Sequence, residues 1–305
     1  MSMLAPIVEL YRWSLQPVAP FTWFGLSIST LDLAATFRLC IVLRQIREGL
    51  RAKHVGKAEP RSFVRDAATT LLVVYGGEMI MCPYLGTPPS FLYSGVVPAL
   101  YTGVQALVEQ IPSSYIPEPS LETELPLSFM DGLTRAFLLC TLIPPMVTQN
   151  PNPLLATSPW TLLVTSLLTA NTGFFLTNLG NLLSPTSISL TTPPEFLPYG
   201  WTTTDLWCAP LVTGLYATLT HAQPFWADVN AVVAGALGPM GLSNVTGEGK
   251  LVPLDAETAR AACGVLLAGM FATRVAKNFG GQWTGQVKPA SPAKSGSPRK
   301  TKKLQ

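Results

Sequence analysis

Long apolar stretches separated by short polar ones run through the chain, a pattern typical of helices that cross a membrane. A membrane-spanning helix needs roughly 20 predominantly apolar residues. We predict seven spans, at about 21–43, 66–86, 90–111, 127–147, 159–183, 206–226 and 256–279. The apolar piece at 231–242 is too short to cross and is predicted to lie at the membrane interface. The predicted fold class is therefore an all-α membrane protein.

Composition and charge agree with a membrane protein and predict its orientation. Only 12% of the 305 residues are charged, against about 25% in a soluble domain. Sixteen of the 20 lysine and arginine residues lie in two stretches, 38–65 and 274–303. Because basic loops remain in the cytosol, we predict both stretches to be cytosolic, and seven spans then place the N-terminus in the lumen. Basic clusters that flank apolar spans also argue against nucleic acid as a partner.

The termini are predicted to lie outside the seven-span region at 21–279. Residues 1–20 are expected to form a lumenal or interfacial segment, and 280–305 a disordered basic tail in the cytosol. Lys302 and Lys303 match the dilysine retrieval pattern, an address that a receptor recognises on a cytosolic tail. This pattern predicts the endoplasmic reticulum membrane, which is continuous with the nuclear envelope. Asn244 begins a glycosylation triplet on the predicted lumenal side.

Two spans contain residues near their middles that weaken an apolar helix. Gly76, Gly77 and Glu78 interrupt the second span, and Thr172 and Gly173 interrupt the fifth. Glycine loses more conformational freedom than other residues on becoming helical, and a carboxylate within the membrane indicates a functional site. Interruptions in two corresponding spans are typical of repeat-built channels and transporters, so these residues are the predicted pore or hinge. Alternatively, the small residues allow close helix packing.

The first six spans divide into two similar triplets. The first span of each triplet has an acidic residue followed by an arginine: Asp32 and Arg38, then Asp131 and Arg135. Because three is odd, a second copy would insert upside down, and we predict two inverted three-helix repeats plus a seventh helix. The copies cover about 21–111 and 127–226, and the seventh helix about 256–279.

The four charged residues of the repeats allow two interpretations. They are candidates for an ion pathway, or for a site that holds a lipid phosphate through the planar fork of arginine. Alternatively they pair internally. Asp131 and Arg135 are one helical turn apart, and Asp32 and Glu78 could each pair with Arg38 or Arg135.

The cysteines and histidines of the sequence are not spaced as an enzyme active site or a metal site requires. The five cysteines lie in apolar runs without C-x-x-C spacing and are predicted to be buried free thiols. The two histidines, His54 and His221, are far apart, so we expect no metal site. We find no nucleophile–base pair and no phosphate loop in the sequence. We therefore expect neither enzymatic activity nor a cofactor from these residues.

In serial order, the motifs resemble those of the trimeric intracellular cation (TRIC) channels. The first two spans have L-D-L-A at 31–34, similar to the family's F-D-I-A, and G-G-E at 76–78, similar to its triple glycine. P-P and F-L follow at 88–92, similar to P-P-x-x-F-L. Span four has M-D-G-L-T-R at 130–135, similar to M-K-E-V-T-R, and span five has T-G and T-N at 172–178. Span six has His221 and Gln223, similar to Q-H-T-Q.

This resemblance implies a homotrimer with one pore per subunit, which conducts potassium and supplies counter-ion flow for calcium release and uptake. In the family, a lysine and an arginine of span four hold a phosphoinositide headgroup. Here the lysine position is Asp131, so only Arg135 matches, and Glu78 replaces the third glycine of span two. Two alternatives remain open: a secondary transporter built from three-helix repeats, and a non-conducting membrane scaffold.

Overall fold

The computed structural model describes residues 3–19, 27–237 and 252–283. It is 75% helical and has no strands among these residues, apart from an isolated β-bridge between Pro17 and Ser29. The predictions for Asn244, Lys302 and Lys303 lie outside the described residues. The described helices are α1 Ala5–Ser14, α2 Thr30–Lys53, α3 Phe63–Leu85, α4 Val96–Gln110, α5 Leu121–Phe137, α6 Ile143–Thr148, α7 Pro153–Ala156, α8 Pro159–Leu179, α9 Thr204–Thr220, α10 Pro224–Leu237 and α11 Ala256–Trp283.

Within the described residues, four stretches are long and apolar enough to cross a membrane. They are Phe63–Leu85, Leu121–Thr148, Pro159–Leu179 and Ala256–Gly280. They correspond to predicted spans two, four, five and seven, and the second of them consists of α5 and α6 joined by a π turn at Leu138–Leu142. The all-α class is therefore confirmed, and these helices agree with a multi-pass membrane protein.

The first predicted span differs most from the observed helix. The sequence predicts 21–43, whereas α2 begins at Thr30 and extends well into the predicted basic loop. Ser29 and Asp32 determine the start. The Ser29 hydroxyl accepts a hydrogen bond from the Asp32 N–H at 3.1 Å, and the Asp32 carboxylate accepts one from the Ser29 N–H at 2.9 Å. This reciprocal capping box satisfies donors that the first helical turn leaves unpaired.

Two other predicted spans are shortened by local backbone features. The third contains a 3₁₀ turn at Ser90–Leu92, and α4 begins only at Val96 and has 15 residues. The sixth, α9, has 17 residues and ends where His221 adopts a left-handed conformation with φ of 53°. The next helix, α10, includes most of the piece predicted to lie at the interface.

Contacts in the first triplet show that its helices alternate in direction. Arg47, near the end of α2, pairs with Asp66 at the start of α3 and with Glu109 at the end of α4. Helices α2 and α4 therefore run in the same direction, and α3 runs in the opposite one. Arg65, in the first turn of α3, donates to the Leu182 carbonyl just after α8 at 3.2 Å, so α3 and α8 are antiparallel.

The remaining long helices continue this alternation. Gln45, late in α2, donates to the Pro117 carbonyl just before α5, so α2 and α5 are antiparallel. Arg260, early in α11, donates to the Thr141 hydroxyl beyond α5, and Arg274, late in α11, pairs with an aspartate in the first turn of α9. Helices α2, α4, α8 and α11 thus run one way, and α3, α5 and α9 the other.

One end of the helix assembly carries most of the described basic side chains, and we call it the basic end. It lies where α2 ends, α3 begins and α11 ends. It includes Arg44, Arg47, Arg51, Arg61, Arg65 and Arg274. The other end has α1, whose Arg12 pairs with Glu257 at the start of α11 at 2.7 Å.

The π turn between α5 and α6 is linked to a neighbouring helix by a hydrogen bond. In the π pattern, the donor for the Leu139 carbonyl would be residue 144, but this residue is Pro144, which has no N–H. The Leu139 carbonyl instead accepts the Thr213 hydroxyl of α9 at 3.2 Å, and both groups are buried. This bond ties α9 to the fully buried apolar cluster around Leu139, Ile143, Leu162, Val212 and Leu267.

We expect Thr213→Val to destabilise the fold by about 1 kcal/mol, because the Leu139 carbonyl would be buried without a partner. Thr218→Val is the matched control, since its hydroxyl donates within its own helix, to the Gly214 carbonyl at 2.8 Å. Denaturant unfolding of both variants in detergent micelles measures the difference. Equal losses in the two variants would show that the interhelical bond contributes nothing.

Candidate functional site

The two predicted pore spans meet at a close crossing of α3 and α8. A Cβ atom added to Gly76 would lie 2.9 Å from the Gly173 Cα, nearer than real Cβ atoms approach. Added Cβ atoms on Gly77 and Gly173 would overlap the backbones of Thr169 and Val73, respectively. Only glycine fits at these positions. Gly76 and Gly77 of α3 therefore lie directly against the backbone of α8 around Gly173.

Neither group of small residues breaks its helix. Helix α3 is continuous through Gly76 and Gly77, and α8 through Thr172 and Gly173, and all four residues are buried. The expected interruption is thus a site of close packing, which small residues permit because their backbones can approach. A conduction path at this site would run beside the crossing, because helical turns here are not opened to expose their carbonyls.

Three threonine hydroxyls lie on the same face of α8 as Gly173. Thr165, Thr169, Gly173 and Thr177 recur at every fourth position, so they share one face of the helix. The hydroxyl oxygens of the three threonines are buried and have no hydrogen-bond partner among the described residues. Hydroxyl oxygens of this kind can accept hydrogen bonds from water or coordinate a cation.

Arg135 extends from α5 to the backbone of α8 beside the crossing. Its Nη2 donates to the Ala170 carbonyl at 3.0 Å. Its Nε is buried without a partner among the described residues. The ion pair with Asp131 that its helical spacing suggests is not formed, because the Asp131 carboxylate binds Arg38 instead. Arg135 is therefore a half-buried cation held by a neutral carbonyl.

A second helix-bridging contact involves a proline. Pro210 has no N–H, which leaves the Leu206 carbonyl of α9 without its helical donor. The Asn171 side chain of α8 donates to this carbonyl at 3.4 Å and to the Leu167 carbonyl at 2.8 Å. Asn171 thus joins α8 to α9 next to the crossing.

Arg38, Glu124 and Asp131 form an ion cluster that joins the first helices of the two triplets. Arg38 Nη2 lies 2.6 Å from Glu124 and 3.0 Å from Asp131. The three side chains are only 11%, 14% and 22% exposed. Two carboxylates share one guanidinium, so the cluster carries a net negative charge. Glu124 precedes the predicted fourth span and was not a candidate from the sequence, although its spacing of seven from Asp131 fits one helix face.

Asp32 and Glu78 have local partners, and the alternative in which they pair with Arg38 or Arg135 is not observed among the described residues. Asp32 caps α2. The Glu78 carboxylate accepts hydrogen bonds from the Ser90 N–H at 2.8 Å and from the Ser90 hydroxyl at 2.7 Å. Glu78 thereby attaches the turn after α3 to that helix, and it remains half-buried.

A buried hydrogen-bonded chain in the first triplet was not predicted. Gln105 of α4 is fully buried. It donates to Glu109 at 2.7 Å and accepts from Thr70 of α3 at 2.9 Å. Glu109 and Asp66 both pair with Arg47. The available sequence signal was a glutamine in an otherwise apolar helix, four residues before a glutamate.

Comparison of the chain with protein families, with curated proteins and with solved structures finds no match. All five cysteines are buried and unpaired, as predicted. Within the described part of the chain, no group of three or more His, Cys, Asp and Glu side chains could hold a metal ion.

We expect Gly77→Ala and Gly173→Ala each to cost at least about 1–3 kcal/mol of stability, because the added methyl group overlaps the facing backbone. Gly269→Ala in α11 is the control. An added Cβ there meets nothing within 4 Å, and alanine is the better helix former. Thermal unfolding in detergent measures all three variants. A control that loses as much stability as the other two would contradict the close contact.

Proposed function

We propose that the protein is a multi-pass channel for monovalent cations, chiefly potassium, in the endoplasmic reticulum membrane, as the resemblance to TRIC channels implies. The observation that carries the proposal is the α3–α8 crossing. Two glycine-bearing antiparallel helices meet there. They are flanked by threonine hydroxyls that have no partner among the described residues and by the half-buried Arg135. Polar groups at membrane depth are costly and typically belong to ion pathways. The role proposed is counter-ion flow during calcium release and uptake, by a homotrimer.

An ion cluster with excess carboxylate and a separate glutamate, Glu78, support a preference for cations. The Arg38–Glu124–Asp131 cluster has one more carboxylate than guanidinium. Glu78 has hydrogen-bond donors around it but no cationic partner among the described residues. Acidic side chains along a pathway attract cations and repel anions.

Seven membrane crossings are proposed, formed by α2, α3, α4, α5 with α6, α8, α9 and α11. Their alternating directions support this number, and so does the collection of arginines at one end. The rule that basic residues remain cytosolic assigns the basic end to the cytosol. Because α1 lies at the opposite end, the N-terminus is assigned to the lumen, and a chain that crosses seven times then ends in the cytosol.

A secondary transporter is the second candidate function, and one observation favours it. At the crossing, the backbones of α3 and α8 are in direct contact around Gly76 and Gly173, which leaves no room for an ion between them. In a repeat-built carrier, such a contact would be the closed position of an alternating-access cycle.

Recordings from purified protein in a planar bilayer test conduction. A potassium chloride gradient should give unitary current steps with a reversal potential near that of potassium. Asp131→Asn and Glu78→Gln should each move the reversal potential toward zero, because each removes a negative charge while an oxygen acceptor remains. Glu257→Gln is the control, since this glutamate lies at the surface with Arg12. Slow, saturating flux without unitary steps would favour the carrier. Unchanged selectivity in both variants would contradict the proposed role of the carboxylates.

Cysteine labelling in sealed microsomes tests the orientation. The native cysteines are all buried, so an introduced cysteine should dominate labelling by a membrane-impermeant maleimide. Lys57→Cys at the basic end should be labelled from outside the vesicle. Leu154→Cys, at an 80% exposed position of the opposite end, should be labelled only after detergent is added. Labelling of both from outside would contradict the proposed topology.

A further inference from the structure

The basic end contains an open cleft between the α2–α3 connection and the segment that follows α8. Five arginines line it: Arg44, Arg47, Arg51, Arg61 and Arg65. Four acidic residues line it as well, so its ability to bind an anion depends on which arginines are already paired with carboxylates.

Three of the five arginines are engaged by the protein itself. Arg47 pairs with two carboxylates, as described above. Arg44 Nε donates to Glu48 at 2.9 Å. Arg65 pairs with Glu59 at 3.0 Å and donates to several backbone carbonyls after α8, including those of residues 181, 182, 184 and 186. These three side chains hold the helix ends together.

The other two arginines keep most of their donors available. Arg51 makes one hydrogen bond among the described residues, to the Glu59 carbonyl at 2.7 Å. Arg61 makes none there, and its closest carboxylate, that of Glu48, is 3.6 Å away. A guanidinium has five N–H donors in a planar fork. The Arg61 side chain is 52% exposed, so its donors can be reached from solvent.

Glu48 pairs with Arg61 only at 3.6 Å and without a hydrogen bond, because its carboxylate has nearer donors. It accepts from Arg44 Nε at 2.9 Å and from the Ser113 hydroxyl at 3.1 Å. The Glu48 carboxylate is thus engaged mainly by Arg44 and Ser113. The N-terminus of α3, which begins at Phe63, adds partial positive charge next to Arg61.

We propose that this cleft binds a phosphate-bearing anion between Arg51 and Arg61. Phosphate oxygens match the guanidinium fork in a bidentate geometry, and the two arginines with available donors line the same cleft. A soluble phosphate compound and a lipid headgroup share this chemistry, and both are accessible to a site at the end of a helix assembly. The site requires only the geometry of the basic end, so it does not depend on conduction.

Glu59 provides a variant with the opposite expected effect. Its carboxylate lines the cleft, is 47% exposed and occupies Arg65 Nη1. Glu59→Gln removes a negative charge that repels the anion and releases donors of Arg65. This variant should therefore bind the anion more tightly than the unmodified protein.

The test uses the purified full chain in detergent, with two probes measured by calorimetry and thermal shift. The probes are inorganic pyrophosphate and a short-chain phosphatidic acid, the latter compared with phosphatidylcholine. Arg51→Gln and Arg61→Gln should each weaken binding about tenfold or more, since each removes a charge-assisted contact. Arg12→Gln is the matched control, because its side chain is similarly exposed, at 55%, but lies at the other end.

The outcomes separate the source of the phosphate from the existence of the site. Arginine-dependent binding of pyrophosphate supports a soluble ligand, and arginine-dependent binding of phosphatidic acid alone supports a lipid. If removal of an arginine unfolds the protein, the tighter binding expected of Glu59→Gln still tests the site. Absence of binding by both probes would overturn the proposal, and so would equal weakening in Arg12→Gln.

Discussion

The direct contact between the backbones of α3 and α8 is the constraint on which the rest of the fold depends. Inside a membrane, lipid tails are as apolar as the side chains, so helices associate through close packing and interhelical hydrogen bonds. Gly76, Gly77 and Gly173 permit an approach that a single methyl group would prevent. Helix α3 packs with the other helices of the first triplet and α8 with those of the second. Their contact therefore joins the two halves.

Polar side chains link the helices around this contact. Two of them bond backbone carbonyls that a proline leaves without a helical donor. Pro144 and Pro210 remove backbone donors, and side chains from neighbouring helices bond the carbonyls that are left over. The Arg38 cluster adds a charged link between the halves. Such groups are costly in a membrane unless they are paired. They thus restrict how the helices can be arranged. Arg135 Nε and three threonine hydroxyls of α8 are among the buried groups without a partner in the described part of the chain, and the proposed ion pathway would run along them.

The sequence predicted the parts of this structure that local pattern determines. Apolar length identified α3, α5, α8 and α11, and the glycine residues that interrupt the apolar pattern lie where α3 and α8 meet. The sequence-based predictions were wrong where contacts between distant residues determine the structure. The arginines in the second half of α2 suggested a loop, but Arg44 and Arg47 are helical because carboxylates from α2, α3 and α4 surround them. Asp131 bonds across to Arg38 rather than along its own helix. The cleft at the basic end combines residues from distant segments, so no single stretch could indicate it.

A double-mutant cycle on the unfolding of Gly77→Ala, Gly173→Ala and the combined variant tests the central contact most directly. Both substitutions obstruct the same α3–α8 approach, so the first should already push the helices apart. The combined loss should then be smaller than the sum of the single losses by about 0.5–3 kcal/mol, as expected for residues that share a contact. Losses that add within about 0.3–0.5 kcal/mol would mean that the two glycines act independently, which would contradict a shared crossing that joins the two triplets.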